Sequence, residues 1–322
     1  MRKIRIGTRG SALALAQAEL AKKLLLENIP EIDAEICVIR TVGDKDHVRS
    51  LVSFGGQGVF VKEIEEALLE GKIDLAVHSL KDVPDSMDSR LALSGFLKRE
   101  NPRDVLVSNG IPFSELRKGA NVGTGSPRRV LQIKAIRPDI KCVNLRGNLP
   151  SRIEKVKSGE LDAILLGAAG LVRLGLSSEI SDVFPVDVVT PAVGQGIVAI
   201  QCLRENAFAQ SVAEKISDEN AVLAACAERR WMELLGGGCR VPMGAILEAD
   251  FEDFAFTAFL ADAENGNSVR LSKKFSKAEI RQDGPLGNFA QSFIGECRKK
   301  NIPIPSETSG TEAISRFWDR ER

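Results

Sequence analysis

Ile73-Asp74-Leu75-Ala76-Val77-His78-Ser79-Leu80-Lys81-Asp82-Val83-Pro84 decides how the rest of this chain is read. Ile73–Val77 is apolar and too short for a helix, so it reads as a buried strand. It runs into an ionic pair, Lys81-Asp82, and then a turn proline. In an open α/β sheet, ligands bind outside the carboxyl ends of the strands. Taken singly the pair is a solvated turn, and His78 alone is a structural histidine. The stretches on either side change the weight of both.

Upstream, Lys3–Gly7 reads as a strand. Thr8-Arg9-Gly10-Ser11 turns the chain into a helix over Ala12–Asn28, with Ser11 as N-cap and Pro30 as stop. Unpaired N–H groups at such a helix start attract anions, and Arg9 and Ser11 stand there. Ala34–Arg40 is a second strand. Thr41–Gly58, with glycines at 43, 55, 56 and 58, reads as a long mobile loop or lid. Val59–Glu70 is a helix closed by Gly71, and Leu91–Phe96 another strand.

Downstream, the charged Lys98–Arg103 is an interdomain crossing. A second α/β pattern follows, with strands at Val105–Ser108, Asn121–Gly123, Lys141–Asn144 and Leu161–Leu166. Pro127 opens a helix reaching Ile136, Leu149–Ser158 is a helix carrying Arg152, and Ala168–Leu174 one carrying Arg173. Val186–Val189 reads as a strand and Thr190–Gly196 as a second crossing. Ile197–Cys202 returns as a strand to the first sheet. The expected division is a discontinuous first domain over 1–99 plus 196–217, a second over 100–195, and a third over 218–322 with a tail from about 302. The fold class is α/β, with a smaller α+β C-terminal domain.

Arg9, Lys81, Arg128, Arg129, Arg146 and Arg152 all fall just after an expected strand or in the next helix's first turn. Guanidinium groups bind carboxylates bidentately, so the expected ligand is small and rich in carboxylates or phosphates. Lys+Arg and Asp+Glu are both 44, and the resulting zero net charge argues against a general nucleic-acid binder. The cations must therefore be gathered locally. Six cysteines without a C-x-x-C pair and only two His make a zinc site unexpected. The chain starts in a strand pattern without a signal-peptide core or long apolar span, which suggests a cytoplasmic protein with reduced thiols and no membrane partner.

In Leu234-Leu235-Gly236-Gly237-Gly238-Cys239-Arg240-Val241-Pro242, three glycines end a helix and put Cys239 at a loop tip. One reading is a glycine C-cap and an ordinary buried cysteine. The other is a sulfur whose bare flanking backbone lets another group approach.

Six motifs then resemble one family, porphobilinogen deaminase (hydroxymethylbilane synthase), in unbroken order from Ile4 to Gly244. They are Thr8-Arg9-Gly10-Ser11, Gly58-Val59-Phe60-Val61-Lys62-Glu63, His78-Ser79-Leu80-Lys81-Asp82-Val83-Pro84, Leu145-Arg146-Gly147-Asn148, Pro191-Ala192-Val193-Gly194-Gln195-Gly196 and Gly237-Gly238-Cys239-Arg240-Val241-Pro242. The resemblance implies two lobes like those of a periplasmic binding protein and a dipyrromethane cofactor held by thioether to Cys239. It implies head-to-tail condensation of four porphobilinogen molecules on that primer with release of ammonia, then hydrolytic release of a linear tetrapyrrole for porphyrin and haem biosynthesis. The implied cofactor contacts are Lys81, Asp82, Ser11, Thr124, Ser126, Arg128, Arg129, Arg146 and Gly170. The implied substrate contacts are Arg9, Ser11, Gln17, Arg146, Arg152 and Arg173. Asp82 is the implied catalytic residue, stabilising positive charge that develops near pyrrole nitrogens. No metal is implied, and a monomer is expected.

Gln57 stands where many relatives carry a lysine, and Gly125-Ser126-Pro127 replaces a more usual Ser-Ser-Leu. Two other classes fit parts of the chain. A two-lobed anion receptor would want an export signal, and a phosphate-handling transferase would want a P-loop, but no G-x-x-x-x-G-K-[ST] occurs.

Overall fold

The structure is a computed structural model that describes residues 2–39, 61–237 and 241–305. The expected lid at 41–58, Gln57, Cys239 and most of the expected tail lie outside them. Two compact units emerge: Met1–Arg99 with Ile197–Glu233, and Glu100–Gly196 with Leu234–Glu307.

The first unit is built on a five-stranded sheet in the order β2-β1-β3-β10-β4. Its strands are β1 (Arg2–Thr8), β2 (Ile32–Val38), β3 (Leu75–Ser79), β4 (Leu91–Phe96) and β10 (Val198–Leu203). β1 runs parallel to both β2 and β3, while β10 is antiparallel to β3 and β4. The apolar runs reflect burial on both faces. Leu75 and Val77 join one core with Ile4, Ile6 and Ile200, against helices Ala12–Asn28 and Ala207–Lys215. Ala76, between them, joins the other core with Ile64, Leu68 and Leu91, against helix Lys62–Leu69. This is the period of two imposed by the pleat. The expected return of the chain to this sheet after Gly196 occurs as β10.

The second unit repeats the plan in the order β7-β6-β8-β5-β9, with β5 (Asp104–Val107), β6 (Asn121–Gly123), β7 (Lys141–Val143), β8 (Ala163–Gly167) and β9 (Asp182–Val183). β6 is parallel to β7 and β8; β5 is antiparallel to β8 and β9. Leu106, Ala163 and Leu165 face one core, Val105, Val107, Ile164 and Leu166 the other. Both sheets are thus mixed, with helices on both faces. The strand expected at Val186–Val189 is a turn instead: both Val188 and Val189 donate backbone N–H bonds to Pro185 O. The proline fixes the entry to that turn, and the nearby strand is Asp182–Val183.

A smaller antiparallel sheet, β11 (Met243–Asp250), β12 (Asp253–Ala261) and β13 (Ser268–Ser276), carries helix Asp283–Lys299 on one face. Phe289 of that helix meets Phe256 and Phe275 edge to face, with centroids 6.2 and 6.0 Å away. The segment from 218 onward is divided between the two units. Helix Glu219–Leu235 is fixed to the first by an Arg99–Glu228 pair at 2.5 Å, while the sheet joins the second. A Cβ on Gly244 would sit 2.6 Å from Pro191 O, and Arg270 donates to Thr190 Oγ1, Gln132 Oε1 and Val188 O.

Candidate active site

In the first unit, the parallel strands β1 and β3 deliver two turns to one sheet edge. After β1, Ser11 Oγ accepts from Ala14 N at 3.3 Å and caps the helix, while Thr8 Oγ1 donates to Ala14 O. Half-buried Arg9 sits between them. After β3 the chain makes one 3₁₀ turn, Leu80–Asp82. Leu80 is buried and its N–H donates to Ile197 O; Val83 is buried and its N–H donates to Leu80 O. Lys81 and Asp82, between these two anchors, are exposed. The turn presents a cation and a carboxylate to solvent from a fixed base.

That base is a buried polar chain. Gln17 donates to Ser79 Oγ at 2.8 Å. His78 Nε2 lies 3.1 Å from Gln201 Oε1, and Gln201 Nε2 donates to Glu65 Oε1 at 2.8 Å. Burial pushes the His78 pKa down to about 4, so the ring is neutral at pH 7. With Gln201 donating to Glu65, the His78 Nε2–H is the donor to Gln201 Oε1. Burial pushes the Glu65 carboxyl up. His78 supports the turn from inside the sheet. Arg229, from helix Glu219–Leu235, donates to the carbonyls of Val83, Pro84 and Asp85 at 3.2, 2.8 and 3.3 Å.

In the second unit the parallel strands β7, β6 and β8 also deliver their turns to one edge. Thr124 is buried and its Oγ1 accepts from Ser126 N; Ser126 precedes Pro127, the first residue of helix Pro127–Ile136. Arg128 and Arg129, in the first turn of that helix, are buried around one fully buried carboxylate, Asp104. Arg128 Nη1 donates to Asp104 Oδ2 and Thr190 O at 2.6 and 2.5 Å. Arg129 Nε and Nη2 donate to Asp104 Oδ1 at 2.9 and 2.7 Å, and its Nη1 to Leu165 O. Gln195 Nε2 adds donors to Asp104 Oδ1 and Pro102 O. The two guanidiniums and Gln195 hold the Asp104 carboxyl below the ordinary carboxylate range, despite burial.

Two guanidiniums on one carboxylate leave a net positive charge in a buried place. Among the described residues the side-chain hydrogen bonds of Arg128 run from Nη1, whereas Arg129 spends both Nε and Nη2 on Asp104. The donor set therefore fits an anionic group, through Arg128 first. After β7, Gly147 at φ 105 turns the chain so that its carbonyl accepts from Arg152 Nε at 2.7 Å. Exposed Arg146 and half-buried Arg152 occupy this turn, and Asn148 caps the next helix. Arg173 Nη2 donates to Gly196 O at 2.6 Å; Gly170 lies in the same short helix, Ala168–Arg173. A Cβ at Gly125 would lie 3.0 Å from Leu145 O, so the bare glycine suits the close approach of these two turns.

Sequence reasoning missed Asp104, Gln195 and Arg229. Asp104 was readable as a carboxylate opening an otherwise apolar strand, and Arg229 as a charge inside an alanine-rich buried helix. Their partners lie too far along the chain to be inferred from spacing.

Fold and turns define a class: a two-unit α/β protein with cations and one exposed carboxylate at the carboxyl edges of its parallel strands. Residues 4–211 match the family model of the porphobilinogen deaminase dipyrromethane-cofactor-binding domain. The chain is 42% identical to the porphobilinogen deaminase of Geotalea uraniireducens over 100% of its length and 96% of that protein. It is 41% identical to that of Syntrophomonas wolfei, covering 88% of this chain and 93% of the other. Among solved structures it is similar to a methionine-binding protein (TM-score 0.42, 15% identity, 70% of this chain and 91% of that one). It is also similar to a periplasmic domain of Bordetella pertussis BvgS (TM-score 0.39, 17% identity, 67% of this chain and 86% of that one). The chain belongs to the porphobilinogen deaminase family. It is a transferase of tetrapyrrole biosynthesis that acts on porphobilinogen and carries a dipyrromethane cofactor.

Proposed function

We propose that Asp82 is the catalytic residue of this transferase and that Cys239 anchors its cofactor. The observation that carries the assignment is the exposed Lys81-Asp82 pair, held between buried Leu80 and Val83 at the carboxyl end of β3. When bound, the dipyrromethane would supply the primer pyrrole to which the first porphobilinogen is joined and from which the chain is extended. Asp82 accepts pyrrole N–H bonds, stabilises the positive charge that develops as ammonia leaves, and moves protons at the reacting carbon. Lys81, Ser11, Thr124, Ser126, Arg128, Arg129, Arg146 and Gly170 hold the primer. Arg9, Ser11, Gln17, Arg146, Arg152 and Arg173 hold the incoming and growing chain. Gln17 and Arg129 reach these roles mainly by supporting others, since their side chains hydrogen-bond to Ser79 and Asp104. The expected domains, 1–99 plus 196–217, 100–195 and 218–322, are proposed as the working bodies; the third has a sheet of its own, although its first helix groups with the first unit and that sheet with the second.

We place the enzyme in the cytoplasm as a monomer, without nucleic-acid or membrane partners. Zero net charge argues against a nucleic-acid partner. Cys37, Cys142, Cys202, Cys226 and Cys297 are free thiols among the described residues, and no helix there is long and apolar enough to cross a membrane. The test is the intact mass of the wild type and of Cys239→Ser. An excess equal to one dipyrromethane in the first, absent in the second, is expected. A bare wild-type mass, unchanged after incubation with porphobilinogen, would refute the anchor.

A further inference from the structure

Arg229 stands out among the buried charges. It is 2% exposed, yet among the described residues its hydrogen bonds run to three consecutive carbonyls, Val83, Pro84 and Asp85, and to no carboxylate. Its Nε is buried without a hydrogen-bond partner. Burial lowers its pKa, with Glu233 and Asp85 as the nearby charges opposing that. A buried cation without a bonded counter-ion is a weak device for stability, because desolvation offsets most of what it gains. Its geometry suits another purpose. A planar fork spans consecutive carbonyls in a way that a single ammonium does not.

The elements it joins give that purpose content. The three carbonyls follow Asp82 directly in the chain. The helix that carries Arg229 ends at Leu235, Gly236 leaves it at φ 67, and the chain continues toward Cys239. The preceding residue, Glu228, is fully buried on Arg99. Adjacent residues of one helix thus grip the end of the first unit's leading segment and the turn behind Asp82.

We propose that Arg229 is a positioning residue: it fixes the Val83–Asp85 backbone to the helix that leads to the cofactor anchor and thereby sets the place of the Asp82 carboxylate. This rests on the assignment of Asp82 made above. Side-chain replacement at Asp82 removes the carboxylate itself; replacement at Arg229 leaves it present and displaced. Displacement of a reacting group by about 1 Å costs on the order of 100-fold in rate.

Arg229→Met keeps the stem and removes the buried charge but leaves the Val83, Pro84 and Asp85 carbonyls without their donor, so it is expected to fold with a lowered melting temperature. Arg229→Lys keeps the charge and loses the fork. Both are purified as holoenzyme and checked for the dipyrromethane by intact mass, beside Asp82→Asn. The expected result for Arg229→Met is a loaded, folded enzyme whose kcat falls on the order of 100-fold while KM for porphobilinogen moves no more than about 3-fold. Arg229→Lys is expected to lose on the order of 10-fold in kcat. Loss of a purely structural arginine would lower the melting temperature as well but leave kcat per loaded molecule unchanged, which would overturn the proposal. Failure of both variants to fold would also overturn it, by making Arg229 a residue of the fold alone. A lost rate in Asp82→Asn beside retained rates in both Arg229 variants would bring down this inference only. A wild-type rate in Asp82→Asn would bring down the assignment beneath it.

Discussion

The turn after β3 and the turn after β6 have the same sequence grammar and opposite fates. In both, basic residues follow a short buried strand at a sheet's carboxyl edge. At the first, Lys81 and Asp82 stay exposed, and the buried polar groups lie behind them: His78 on Gln201, Gln201 on Glu65, Arg229 on the turn's own carbonyls. At the second, Arg128 and Arg129 are themselves buried, locked on Asp104 and Gln195. The difference lies in the chain that crosses nearby. Asp104 opens β5, which pairs with β8, and so brings a carboxylate to the first turn of the Pro127–Ile136 helix. Among the described residues no comparable carboxylate bonds to the cation at the β3 turn's base, where Arg229 donates to carbonyls. A cation at a strand end is therefore a ligand only in proportion to the donors its own fold leaves over. By that measure Arg128 contributes more than Arg129.

The comparison can be broken most forcefully at Asp104. Asp104→Asn leaves two buried guanidiniums without their counter-charge and is expected to cost about 3–5 kcal/mol in urea unfolding. A loss within experimental scatter would mean that the cluster is not the internal salt bridge described here. Its pH dependence has a fixed sign. A carboxyl held below its unfolded value stabilises fully above the ordinary carboxylate range, and that stabilisation goes only as pH falls below it.

His78 sharpens the other side. Its folded pKa lies at about 4, below the ordinary 6.5, so the unfolded chain takes up a proton that the folded one refuses. The stability it gives is whole above pH 6.5 and is lost between there and pH 4, at about 1.4 kcal/mol per unit, about 3 kcal/mol in all. Urea unfolding of wild type and His78→Gln across that window should show a steeper fall for the wild type. Parallel curves would contradict a neutral buried ring. The smallest effect belongs to exposed Lys81: Lys81→Gln should leave the melting temperature unchanged while slowing acquisition of the cofactor, read by intact mass. A large drop in melting temperature would make the exposed turn a structural element.

The β3 turn was legible because three local signals coincide there: an apolar run of strand length, an ionic pair and a proline. The helix starting at Ala12 and the return of Val198–Leu203 to the first sheet were legible for the same reason, since both rest on apolar runs with clear punctuation. Val186–Val189 misled because its valines carry strand propensity while Pro185, immediately before them, directs a turn. Pro127 marks the start of its helix in the sequence, but nothing local announces that Arg128 and Arg129 turn inward. That depended on Asp104, 24 and 25 residues away, arriving on a neighbouring strand. The attachment of the last sheet to the second unit was likewise hidden, since it hangs on Gly244 against Pro191 and on Arg270 reaching Gln132.

The central claim is that a rigidly based, exposed Asp82 performs the chemistry. It is tested most directly by the turnover of porphobilinogen by Asp82→Asn, purified with its dipyrromethane in place and verified by intact mass. The account predicts a folded, loaded protein that has lost most of its turnover, on the order of 100-fold or more in kcat. Turnover near the wild-type rate in that loaded variant would contradict it.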